Sequence, residues 1–107
     1  MNNTTHTPGP WTAIQHPREH KWAWTIEGAD GVGQSIARIG LVNDAQAVAA
    51  NAHLIAAAPA MYEALVETMR VLRSLRDNKE EWYTLVTPEL LTAWDKNKAA
   101  LAQAEGR

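Results

Sequence analysis

The 107-residue chain has no cysteine and no phenylalanine. Without thiols, disulfide staples, cysteine-ligated zinc and thiol nucleophiles are all excluded. Positive charge is not in surplus either: 10 basic residues stand against 12 acidic ones, a formal net charge of −2. General coating of DNA or RNA, or a basic helix that seeks an anionic membrane, needs the opposite balance. No apolar run approaches the roughly 18 residues of a membrane span. The opening Met1-Asn2-Asn3-Thr4-Thr5 lacks the charged and apolar regions of a signal peptide. Catalytic signatures are missing as well: there is no Gly-x-Ser-x-Gly elbow, no phosphate-cradling Gly-x-x-x-x-Gly-Lys and no His-Glu-x-x-His. Gly28, Gly31 and Gly33 have the wrong spacing for a dinucleotide fingerprint and read as a turn. The expectation is a protein that is not an enzyme and holds no cofactor and no metal.

What is present is the composition of a globular protein, 46% hydrophobic and 21% charged, in one domain's worth of chain. Residues 1–10 are polar and close on Pro8-Gly9-Pro10, which predicts a flexible tail ended by a stiff turn. Residues 11–107 are expected to form a single α+β domain. Four of the six glycines fall between residues 11 and 42, and the back half is rich in Ala, Leu, Glu and Arg. This predicts a small three-stranded antiparallel sheet over about 11–42, followed by two or three helices over about 44–58, 59–77 and 88–104.

In the front, Trp22, Trp24 and Ile26 alternate with Ala23, Thr25 and Glu27, the period of a strand with one buried face. Trp22 and Trp24 are expected on that face. Gln34 to Val42 supplies a partner strand, and Trp11 to Gln15 a short first strand ended before Pro17. Such a sheet needs a cover. Asn43, with Gln46 three residues on, is the expected N-cap of a helix with nine alanines between Ala45 and Ala60. Pro59 interrupts it, yet the stripe Leu54, Ala58, Met61, Leu65, Met69, Leu72, Leu75 keeps its phase. A kink, or two helices in tight succession, fits better than a long loop. Asp77 to Glu81 reads as a polar break, and Trp82 to Val86 is ambiguous between helix and loop. Thr87-Pro88-Glu89 opens the last helix as N-cap, first helical residue and acidic first turn. Leu90, Leu91, Trp94, Leu101 and Ala104 are its expected packing face.

Several residues invite a functional reading. His16 and His20 are four apart, metal-ligand spacing on a helix, but Pro17 between them argues for a polar hairpin loop. Arg70, Arg73 and Arg76 recur every three residues. They suit a helix C-terminus, with Glu67 and Asp77 as partners, or a clamp for phosphate or carboxylate. Asn51, an amide among alanines, is a candidate binding residue, as are Trp11 and Trp82, whose rings could stack a base or anchor a partner. His53 is expected to meet a neighbour or water. Small side chains at Ala49, Ala52 and Ala56, with Leu65 and Met69, form the expected seam of a homo-oligomer, against the alternative that the sheet alone covers this helix.

Two segments carry a resemblance. His6-Thr7-Pro8-Gly9-Pro10-Trp11, and Ala50-Asn51-Ala52-His53-Leu54-Ile55-Ala56-Ala57-Ala58-Pro59 followed by Glu63-Ala64-Leu65, together resemble a family of small bacteriophage and prophage accessory proteins. His53 stands where that family usually has arginine, and Met61-Tyr62 replaces a Leu-Leu pair. The resemblance carries no catalytic or binding residue with it. It implies a viral origin and action in the host bacterial cytoplasm. By analogy of setting, the expected function is anti-defence: an anti-CRISPR-like inhibitor that binds a host defence protein. The alternative is an oligomeric sponge for a cyclic or other nucleotide second messenger, with an enzyme that degrades such a signal as a third option.

Overall fold

Strand-period sequence, then helix-period sequence, produces the element order β1 (Thr12–Gln15), β2 (Trp24–Glu27), β3 (Ser35–Ile39), α1 (Ala45–Ala56), α2 (Ala58–Asp77), α3 (Lys79–Leu85) and α4 (Pro88–Ala104). This is the arrangement in a computed structural model, which describes residues 6–29, 35–40 and 44–107. The class is α+β, as the composition predicts. The chain divides into two compact units, Met1–Ala60 and Met61–Arg107. The division falls within α2 and not at the compositional boundary near residue 43.

In the first unit the strands lie in the order β1-β2-β3, antiparallel throughout. Ala13 and Ala37 flank Ile26 across the sheet, so two small side chains make room for one large one. Ile26 is fully buried. α1 packs on β1 and β2 through Val48 and Ala52, four residues apart and both buried. Trp24, on the same strand face as Ile26, meets His53 of α1 edge-on at 5.2 Å. Trp22 and Trp24, expected on the buried face, are half-buried. Thr25, on the opposite face, is buried as well, so the middle strand is covered on both sides. The register breaks between Ile26 and Glu27.

Asp44, one residue after the expected cap, is the N-cap of α1: its carboxylate accepts from Ala47 N at 3.1 Å. Asn43 lies outside the described residues, as do Leu41, Val42 and most of the β2–β3 turn. α1 and α2 are two helices in tight succession, with Ala57 alone between them and Pro59 in the first turn of α2, where its missing N–H costs nothing. Residues 6–10, expected as tail, are partly ordered by contacts: Trp11 Nε1 donates to Thr7 O at 3.1 Å. Gly9 lies against the buried Pro59.

In the second unit the core is Met69, Trp94 and Leu101, with Tyr62, Leu65, Val66, Leu72 and Trp82 packed around it. The ambiguous Trp82 segment is helical. Asn78 caps α3, its side chain accepting from Glu81 N at 3.4 Å, so the polar break is in fact a helix start. Thr87 caps α4 and accepts from Leu90 N at 3.0 Å. The buried side of α4 runs Leu90, Trp94, Asn97, Leu101; Leu91, expected on it, is 48% exposed. The steps of four, three and four put Leu91 off that stripe. Among the described residues, no helix is long and apolar enough to cross a membrane.

Candidate functional site

The first unit holds a cleft of about 290 Å³ where the β1–β2 connection meets α1. Pro17 ends β1, and the ladder carries one step past the strands as His16 N donates to Ala23 O at 2.9 Å. Within the loop so closed, His20 N donates to Pro17 O at 2.9 Å. This tight path lays the His16 and His20 rings face to face, centroids 4.0 Å apart and planes within 11°. Both rings line the cleft, with Gln15, Arg18, Trp24 and Val48.

The hydrogen on His16 follows from its partner. The Thr25 hydroxyl donates to Glu27 Oε2 at 3.2 Å. A hydroxyl has one proton, so toward His16 Nε2, 2.8 Å away, Thr25 is the acceptor. His16 Nε2 therefore carries hydrogen, and Nδ1 of the neutral ring is left an acceptor. His20 Nδ1 lies 3.0 Å from Trp22 N and 3.1 Å from Trp22 O, so it accepts from the one in one tautomer and donates to the other in the second. In both cases His20 Nε2 stays outside these bonds, as His16 Nδ1 does on the neighbouring ring. Two rings stacked in parallel do not converge on a common ion, and among the described residues no group of three or more metal-ligating side chains gathers.

The residues singled out from sequence are dispersed. Arg70 pairs with Glu67 through two hydrogen bonds, which holds the Glu67 carboxyl below its ordinary pKa and raises that of Arg70. Arg76 lies over the Trp94 ring, 5.2 Å from its centroid. Arg73 is exposed and makes no ion pair with Asp77. The three arginines therefore point to different neighbours and form no common clamp in one copy. Trp82 packs edge-on against Trp94 at 5.7 Å, inside the core cluster. Trp11 is half-buried with its N–H committed to Thr7, and Asn51 is exposed. Of the expected seam, Ala52 and Met69 are wholly buried in a single copy and have no surface to offer; Ala49, Ala56 and Leu65 are half-buried. The exposed face of α1 is instead Ala47, Ala50, Asn51 and Leu54.

The family model of Salmonella phage P22 protein Y8K6 matches residues 1–107, the whole chain. The chain belongs to this family. No curated protein and no solved structure matches it. Membership in the P22 protein family gives the chain the phage origin that its two boxes imply, and a phage accessory role. Neither the match nor the fold names a target.

Proposed function

We propose that this member of the family is a non-enzymatic anti-defence protein, acting in the host cytoplasm by docking on a protein component of a bacterial immune system. The observation that carries this reading is the amount of large apolar surface left open on the helical unit. Tyr83 is 76% exposed, Leu85 and Leu91 48%, Val71 44% and Met61 42%, while the unit's core closes around Met69, Trp94 and Leu101. Scattered apolar residues are ordinary on any surface. Here five of them fall on the three helices of one unit, and protein interfaces are built from such aromatic and aliphatic anchors. In the same reading, copies associate through the exposed alanine face of α1.

The sponge reading has less support, because in one copy Arg70 turns to Glu67 and Arg76 to Trp94 and the two do not converge. The test of the docking reading is plating of phage on host strains that each carry one defence system, with and without the protein expressed. Rescue of plating on one system, lost in a Tyr83→Ser, Leu91→Ser double variant of unchanged helicity, supports the proposal. Rescue on none of the systems, or full rescue by the double variant, removes it.

A further inference from the structure

We propose that the cleft between the β1–β2 loop and α1 binds a mononucleotide, a purine base carrying a phosphate. Three features on the cleft wall point to this chemistry. First, His16 Nδ1, an acceptor in the neutral ring, and His20 Nε2 both stay outside the hydrogen bonds to Thr25 and Trp22, so two imidazole nitrogens stand on rings 4.0 Å apart to meet a polar edge. A paired donor and acceptor is what the edge of a purine presents. Second, Trp24 adds an aromatic wall to the cleft, and base faces pack on indoles. Third, Arg18 lines the same cleft, and no carboxylate pairs with it among the described residues. A guanidinium left without a counter-ion at the edge of an aromatic cleft suits a phosphate, which it grips with two parallel hydrogen bonds. The size, about 290 Å³, lies at the lower end of small-molecule sites and suits one nucleotide, not two.

The site is independent of the docking surface proposed above: its lining belongs wholly to the first unit. Adenosine and guanosine monophosphate are the probes. Titrated into the isotopically labelled full chain, one or both should give saturable NMR shifts at the His16 and His20 imidazoles and the Trp24 indole, with the Trp94 indole unmoved. Arg18→Ala, at an exposed position, should weaken nucleotide binding about tenfold, and the unphosphorylated nucleoside should bind the native chain about as weakly. Absence of saturable shifts at millimolar nucleotide overturns the proposal. Identical shifts with inorganic phosphate alone would mark a plain anion site and also overturn it, as would unchanged affinity in the Arg18→Ala variant. The methyl resonances of Ile26, buried in the same unit and outside the cleft lining, report whether the variant keeps its fold.

Discussion

Gly9 lies so close to Pro59 that a methyl group on the glycine would come within 2.9 Å of the proline Cβ. The two segments that suggested a phage family therefore meet in space, and glycine stands at position 9 because nothing larger fits. Gly9→Ala is expected to cost about 1–3 kcal/mol through overpacking, offset in part by the entropy the unfolded chain loses. Gly40 is the control. A Cβ there would meet only the Trp22 ring at 3.9 Å, ordinary contact. Gly40→Ala should leave stability unchanged or raise it slightly. Thermal melts of the two variants check the pair, and equal melting temperatures would refute the close contact.

Most of the elements were legible because each carries a local signal. The alternation around Trp24 and Ile26, the alanine run and the Thr87-Pro88-Glu89 start each specify an element within a few residues. α3 was not legible: seven residues are too few for a helical period to show, and Asn78 looks like part of a charged break until Glu81 N is seen to bond to it. The arginine row divides for a geometric reason. Steps of three turn about 60° short of full circles, so Arg70 and Arg76 lie about 120° apart around the helix. One reaches Glu67, the other Trp94. The cleft was hidden for another reason. His16 and His20 stand out in the sequence, but the hydrogen bond from His16 to Thr25 exists only through the β1–β2 register, which places Ile14 opposite Thr25 and Gln15 opposite Trp24.

Trp94 is the structural centre of the helical unit, 8% exposed with Trp82 against its edge and Arg76 over its face. Trp94→Ala should cost about 3–5 kcal/mol. Arg76→Ala removes a cation at an exposed site and should cost about 0.5–1 kcal/mol. Arg70→Ala, which breaks only a surface pair with Glu67, should leave the denaturation midpoint unmoved. Chemical denaturation of the three variants gives the order directly. A larger effect for Arg70 than for Arg76 would contradict the contacts described.

Self-association, if it runs along the open side of α1, depends on Leu54, which is 60% exposed among small residues. Light scattering should give a mass above the 11.8 kDa of one copy, and Leu54→Glu should return it to that value. Leu54 is exposed while Val48, Ala52 and Ile26 form the buried core of this unit, so an unchanged helical spectrum would show that loss of assembly is not loss of fold. Equal masses for the native chain and the variant would leave α1 outside any interface.

Tyr62 and Glu105 tie the start of the helical unit to its end. The phenol donates to Glu105 Oε2 at 2.6 Å, and the same carboxylate, through Oε1, is 2.7 Å from Arg107. The hydrogen bond, aided by burial and by the negative charge of Glu105, raises the Tyr62 pKa above its ordinary value, against a smaller lowering by Arg107. A pKa raised by folding means the folded chain holds this proton more tightly than the unfolded one. The linked stability is therefore fully present below the ordinary tyrosine range and is lost as pH rises through the folded value. Glu105→Gln removes the carboxylate charge and the strongest acceptor for the phenol. It should bring Tyr62 back toward its ordinary titration, followed by tyrosinate absorbance, and should flatten the alkaline fall in melting temperature. Tyr62→Phe should flatten that fall equally, since the titrating group itself is gone. An alkaline fall of undiminished size in both variants would assign the linkage to other groups.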